Sequence, residues 1–334
     1  MKTSAVAQET KIRSGGALGR ALRHNPALPI YLILAVTVVI GWAVAPSFRS
    51  LGNFANLTVQ VVAFALAGIA QTFAILVGDV DLGVGGIISI VVCAAAIIMK
   101  DTIASMVGGA LLMLLIGSGV GLLTGFLVTR IKVEAMVLTL AINAALLGFA
   151  LYLMPFPDYS KIIPPRFMSA VTGNIGPIQI PVLGTLVVAL IAWYVLDRTR
   201  FGLHLRAVGA DPEAAFRAGI DVAKIKIAAH TITGFLAALT GLFLAARMGT
   251  GDPTAGASFS MDSMTAVIAG GTLFNTGVGG VVGTVGGAML IVILGNIFNH
   301  LGVSTFYQYV FRGALLVVAV AGGAIRKKWQ EAAQ

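Results

Sequence analysis

The stretch RTRFGLHLRAVGADPEAAFRAGIDVAKIK, Arg198 to Lys226, does not match the chain around it. It carries Arg198, Arg200, Arg206, Arg217, Lys224 and Lys226 together with Asp211, Glu213 and Asp221. The 334 residues as a whole are 58% hydrophobic and only 10% charged, where soluble domains carry about 25%. A polar island in so apolar a chain reads as a water-exposed loop between membrane segments. On both sides of it the sequence returns to runs of roughly 18 or more mostly apolar residues.

The fold class that follows is all-α, a polytopic transmembrane helical bundle. A membrane barrel would show segments of about 10 alternating residues, and none is present. Apolar stretches lie near 28–46, 58–77, 86–99, 103–129, 134–154, 182–196, 228–247, 263–275, 283–299 and 303–324, which predicts about ten spans. Those at 86–99 and 263–275 are short for a hydrocarbon core of about 30 Å, so broken or re-entrant helices are expected there. Gly117, Gly121 and Gly125 recur on one face of the fourth stretch, a pattern that lets helix backbones approach closely.

Residues 1–27 read as a basic tail, 28–325 as the transmembrane domain with its loop at 197–227, and 326–334 as a second tail. With the first tail in the cytoplasm, Lys2, Lys11, Arg13, Arg20, Arg23, the Arg130 and Lys132 turn, the island, and Arg326, Lys327 and Lys328 all fall on the inner side. The positive-inside rule therefore predicts both termini cytoplasmic. The net charge of +9 is then the bias of a cytoplasmic membrane face and calls for no nucleic acid, although the first tail could also touch anionic lipid. The single Cys93 excludes an internal disulfide. No small-residue cleavage pattern follows the first apolar stretch.

Within the island, Asp211-Pro212-Glu213 has the form of a helix start, with Asp as N-cap, Pro at the first helical position and an acid at the positive end of the dipole. Gly219 is a natural stop. The helix so bounded, Pro212 to Ala218, is about two turns long and too short to hold itself together in water. Its support is either its own membrane helices or a docking partner.

Several longer segments carry a resemblance. FGLHLRAVGADPEAAFRAGIDVAKIKI, from Phe201, is similar to the cytoplasmic coupling loop of ribose-type sugar permeases, the membrane subunits of ATP-binding-cassette importers in the branched-chain amino acid and ribose permease superfamily. The segment from Thr233 to Phe274, then GGVVGTVGGAMLI from Gly279 and LGNIFNHLGVSTFYQYVFRGALLVVAV from Leu294, resemble the same family in the same order. ILVGDVDLGVGG, from Ile75, resembles the family's short Gly-rich break around an aspartate. The resemblance implies a multi-pass protein of the bacterial inner membrane that is not an enzyme and holds no cofactor. It implies a second permease copy, alike or different, two cytoplasmic ATPase subunits that bind the ATP, and a periplasmic substrate-binding protein that delivers a monosaccharide or polyol. No G-x-x-x-x-G-K-[ST] occurs in the chain, which agrees with ATP being held elsewhere. It further implies that Gly209, Asp211, Glu213, Ala214, Ala215, Phe216, Arg217 and Gly219 form the ATPase-coupling element. Ala214, Ala215 and Phe216 would give apolar contact, while Arg206 and Arg217 would meet acidic residues of an ATPase groove.

The candidates for a translocation path are Asp81, Thr139, Asn143 and Thr272. Glycines at 78, 83, 85 and 86 would unwind the chain around Asp79 and Asp81, so Asp81 either lines a path or caps the third span. Thr139 and Asn143 lie inside the fifth span and either meet a hydroxylated solute or join two helices. Asp262, ahead of the eighth span, is expected to cap it or face the binding protein. His230 and His300 have no partner at metal-ligand spacing, and no nucleophile, base and orienter set is visible. The chain departs from the family at Leu147, at Ser260 and in the loop from Leu273, so a nucleoside, a furanosyl signal molecule or an amino acid stays open as solute. An ATP-independent secondary carrier would want an ion-coupling carboxylate within a span, and no Asp or Glu falls in the interior of the expected ones.

Overall fold

A computed structural model describes residues 27–331, so residues 1–26 of the first tail and the last three residues lie outside the described residues. The ten expected stretches are all helices: α1 (Leu28–Val44), α2 (Leu51–Leu76), α3 (Val84–Ile98), α4 (Ile103–Arg130), α5 (Ala135–Leu153), α7 (Ile180–Arg198), α10 (Val222–Met248), α11 (Phe259–Ala269), α12 (Val281–His300) and α13 (Thr305–Glu331). Six of them, α2, α4, α5, α7, α10 and α12, are long and apolar enough to cross a membrane, and α1 and α3 are shorter apolar helices. Three short helices lie in connections: α6 (Pro165–Thr172), α8 (Arg200–Ala210) and α9 (Pro212–Arg217).

The helices sort into an inner and an outer set. In α2, α10 and α12 most of the apolar window is buried, and α3 is buried almost along its whole length. In α4, α5 and α7 the same window is largely open, as suits helices whose outward faces meet lipid. Small residues set the contacts of the inner set. A Cβ on Gly121 would overlap the His230 carbonyl, one on Gly117 would meet Gly234, and one on Gly234 would overlap the Gly117 carbonyl. The glycine row of α4 is thus a seam where α4 and α10 touch backbone to backbone. Polar ties add to it: Thr72 and Thr284 share a hydrogen bond of 2.7 Å between α2 and α12, and Asn53 and Asn296 exchange two, at 3.0 and 2.8 Å.

A glycine closes the helix end beside each of the two short spans. Gly78, at φ 91°, ends α2; its N–H reaches the Ile75 carbonyl at 3.1 Å and the Asp79 N–H reaches Ala74 at 2.9 Å. Gly271, at φ 88°, ends α11 with the same pair of bonds. This closure satisfies the last carbonyls of each helix inside the bundle. Residues 252–258, ahead of α11, dip into the bundle, where Gly256 lies against Gly85 at the start of α3.

The all-α expectation misses two small ladders. β1 (Asp158–Ile162) pairs antiparallel with β4 (Thr250–Gly251), and β2 (Asn174–Ile175) with β3 (Ile178–Gln179). Both sit in connections at the end of the bundle opposite α8 and α9, where they do not alter the helical architecture. The last helix also continues to Glu331, past the expected end of its span near 324.

The glycine seam makes a direct prediction. Gly121→Val should lower the yield of folded protein in detergent sharply, because its Cβ position is filled by rigid backbone, while Gly119→Val, which faces open space, should leave size-exclusion profile and yield unchanged. Equal tolerance of the two changes would contradict the seam.

Candidate functional site

The polar island folds into two helices, α8 and α9. Only the second was expected. α8 starts at Thr199, whose Oγ1 accepts from the Gly202 N–H at 3.3 Å, and it buries Leu205, Val208 and Gly209. Gly209 lies on the end of α2: a Cβ there would overlap the Leu76 carbonyl. α9 is built as anticipated, with Asp211 Oδ1 accepting from the N–H groups of Glu213 and Ala214 at 2.9 and 3.0 Å. Gly219, at φ 85°, closes it, with Ile220 N–H reaching the Ala215 carbonyl at 3.0 Å.

The support for so short a helix comes from its own chain. Ala215 is buried in one cluster with Leu205, Val208, Leu76 and Val77, whereas Ala214, Phe216 and Arg217 face outward, Phe216 at 71% exposure. Glu213 and Arg217 pair with each other along the outer face. Arg206 is engaged inside the chain: it pairs with Asp197 and donates to the carbonyls of Gly277 and Gly279 at 3.2 and 2.7 Å. Ala215 and Arg206 therefore hold the element onto the bundle, and the outward contact falls to Ala214 and Phe216. Asp221 starts α10 by accepting from the Lys224 N–H at 3.1 Å; this bond, with the Lys224 side chain, holds its carboxyl below the ordinary aspartate value.

Directly beneath α8 lies the break between α2 and α3. Asp79 Oδ1 accepts from Lys226 Nζ at 2.7 Å, and its Oδ2 lies 3.3 Å from His230 Nε2. Asp81 Oδ1 accepts from the Gly83 N–H at 2.9 Å, and its Oδ2 lies 3.0 Å from His230 Nδ1. Asp81 thus caps the start of α3 and binds histidine with its other oxygen. His230 has no solvent exposure, and both aspartates are buried. Its partners lie 149 and 151 residues away in sequence, which is why local spacing showed none. Among the described residues no group of three His, Cys, Asp or Glu is arranged to hold a metal.

The rest of the break is sewn to its neighbours. Thr139 Oγ1 accepts from the Leu82 N–H at 3.0 Å, with the Ala135 and Val80 carbonyls at 2.7 and 3.2 Å for its hydrogen. Ser260 Oγ accepts from Gly85 N–H at 3.2 Å and donates to the Leu82 carbonyl at 2.7 Å. The Gln71 amide, with its carbonyl toward the Asp81 N–H, meets both backbone groups of Asp81 at 3.2 and 2.9 Å. Asn143 faces Gly85 and Gly86, and its buried Oδ1 has no hydrogen-bond partner among the described residues. Thr272 lies apart from these, buried at the end of α11, where it accepts from the Gly280 N–H at 3.3 Å.

Asp262 is placed differently from the expectation. It sits in the first turn of α11, buried, and pairs with Arg312 of α13 at 2.9 Å. The buried acids lie at the helix breaks and at the start of α11: Asp79, Asp81 and Asp262, each beside a basic side chain.

A family model described as the permease component of branched-chain amino acid transport systems matches residues 53–320. The chain belongs to this permease family. Among curated relatives, the ribose import permease protein RbsC of Haemophilus influenzae is 32% identical over 297 residues, covering 87% of this chain and 90% of the relative. The D-allose transport system permease protein AlsC of Escherichia coli is 33% identical over 298 residues, covering 87% and 89%. The L-arabinose ABC transporter permease protein AraH of Azospirillum brasilense is 28% identical over 322 residues, covering 96% and 93%. With its six membrane-length helices the permease is an integral, multi-pass membrane protein.

The Asp262 pair can be tested by thermal unfolding in detergent. Arg312→Met leaves a buried carboxylate without its cation and should cost about 3–5 kcal/mol, most of which Asp262→Asn in the same chain should restore. A double variant as unstable as the single would show that the pair is not what holds α11 to α13.

Proposed function

We propose that this permease is the membrane-spanning subunit of an ATP-binding-cassette importer that carries a monosaccharide or related polyol across the bacterial inner membrane. The observation that carries the reading is the α8–α9 element: a separately capped, two-turn helix whose inner face is packed into the bundle and whose outer face offers Ala214 and a bare Phe216. Phe216 borders an open depression of about 800 Å³ that Val128, Thr129, Lys132, Ile220 and Lys226 also line, so the turn between α4 and α5 shares the outward surface. An exposed aromatic beside a mixed polar and apolar hollow is the kind of surface a protein partner covers. Relatives named for ribose, allose and arabinose support the solute class.

In this reading the chain makes ten spans with both termini and the 197–227 loop in the cytoplasm, and residues 1–27 and 326–334 are tails on that side. It works with a second permease copy, with cytoplasmic ATPase subunits that bind the ATP, and with a periplasmic substrate-binding protein. It performs no chemistry on the solute. The buried acids at the helix breaks all have basic partners within the chain, which speaks against a free ion-coupling carboxylate and hence against an ATP-independent carrier.

Two measurements check this. Ala214→Glu and Phe216→Glu should each reduce recovery of the ATPase with the permease by about two orders of magnitude, a buried interfacial charge without a partner costing several kcal/mol. Both should leave folded yield unchanged, unlike Ala215→Glu, which places its charge inside the bundle. Normal ATPase recovery and uptake in both outward variants would reduce α9 to a connector. Reporter fusions after Lys328 and within the 198–226 loop should both read cytoplasmic; a periplasmic signal from either overturns the topology.

A further inference from the structure

The contacts of His230 require a proton that simple bookkeeping of the side chains leaves out. Its two ring nitrogens face two different carboxylate oxygens, Asp81 Oδ2 at 3.0 Å and Asp79 Oδ2 at 3.3 Å. A neutral imidazole has one N–H and one lone pair, and an ionised carboxylate only accepts. With a neutral ring and two carboxylates, one of the two contacts would set a nitrogen lone pair against an oxygen in a site closed to water, where such a mismatch is not relieved by solvent. Both contacts are hydrogen bonds only when the trio holds one further proton.

The remaining oxygens show where that proton resides. Asp79 Oδ1 accepts from Lys226 Nζ, whose ammonium favours the ionised carboxylate, and Asp81 Oδ1 accepts from the Gly83 N–H. The ring then carries the extra proton. Two carboxylates, one ammonium and one imidazolium sum to zero, and a neutral cluster is what a buried site in a membrane bundle requires. From α4, Gly121 lies against the His230 carbonyl and Gly125 against Ile227 and the His230 Cβ.

We propose that Asp79, Asp81 and His230 form a proton-holding site, and that its imidazolium is a positioning residue which ties α10 to the break between α2 and α3 during the transport cycle. The placement gives the tie its role. α10 is the helix that leaves the α8–α9 element, and Gly209 of α8 rests on Leu76 at the opposite edge of the same break. A movement of the element therefore reaches the break from both sides, and the histidine clamp makes α10 and the break move together. The role in transport rests on the reading of the α8–α9 element as the ATPase contact; the proton itself does not.

The test separates the two. In the importer assembled in lipid nanodiscs from ¹⁵N-labelled permease and unlabelled partner subunits, His24→Gln, His204→Gln and His300→Gln together leave His230 as the one labelled histidine of the chain's 4. Its ¹⁵N ring signals at about pH 8, where an ordinary imidazole of pKa about 6.5 is neutral, should show both nitrogens protonated. A neutral-ring spectrum overturns the proposal whatever the transport result. For the role in transport, His230→Gln leaves the cluster with one unbalanced negative charge and should lower maximal uptake about tenfold or more with little change in KM. Asp81→Asn added to it rebalances the charge and should bring uptake back to within about threefold of the parent. A double variant no better than the single would refute the charge-balance role, and an imidazolium spectrum with unchanged uptake in His230→Gln would refute the positioning role alone.

Discussion

Backbone left unpaired inside a bundle of apolar helices has no water to turn to, and this permease breaks its helices there twice. Everything else in the centre of the molecule answers that constraint. The break after α2 and the dip before α11 are brought against each other, and each supplies what the other lacks: Ser260 closes the N–H of Gly85 and the carbonyl of Leu82, while Ser89 accepts from the N–H of Gly256 at 3.0 Å. Thr139 of α5 and Gln71 of α2 complete the set. The glycines on both sides are required by the same logic, since a Cβ on Gly85 or Gly256 would occupy backbone of the other segment. Two interrupted helices are stable here because they are interrupted at the same place.

That arrangement explains how far the sequence could be read. Apolar runs are local and additive, so the ten helices, their approximate ends and the two that fall short of the membrane thickness were visible from composition along the chain. Asp211-Pro212-Glu213 and Gly219 were equally legible, because capping depends on residues within three or four positions of one another. α8 was not. Its Arg200, His204 and Arg206 look like loop residues, and the burial of Leu205, Val208 and Gly209 against Leu76 depends on a neighbour more than a hundred residues earlier. The partners of His230 and the Arg312 partner of Asp262 were hidden for the same reason: opposite charges on distant helices have no spacing rule. Asp79 with its downstream Asp81 in a glycine-rich run was the available signal, and it identified the break without showing what it binds.

The burial of Ala215 and the outward turn of Phe216 also change how the short helix works. A helix of six residues cannot carry force on its own. Seated through Ala215, Gly209 and Arg206, it is part of a small rigid block with the end of α2 and the loop from Gly277 to Gly279. That block touches the inner ends of both interrupted helices, through Leu76 on one side and through the residues after α11 on the other. A partner bound to Phe216 would therefore push on the two places where the bundle is discontinuous, whereas the long outer helices α5 and α7 leave most of their surface outside the bundle.

Interrupted helices make this economical. Displacing a continuous 27-residue helix such as α10 means shearing its whole packed face, including the backbone contacts with Gly117 and Gly121. Displacing the residues between Gly78 and Gly83 means exchanging a handful of hydrogen bonds to Thr139, Gln71 and Ser260, each of which has side-chain freedom to re-form. The four-charge cluster of Asp79, Asp81, Lys226 and His230 sits on the boundary between these two kinds of structure, with two members on the deformable break and two on the stiff helix. Its geometry decides whether the break follows α10 or slips past it. Because the charges balance only when all four are together, slippage would strand charge in a low-dielectric interior, and concerted movement is the lower-energy course.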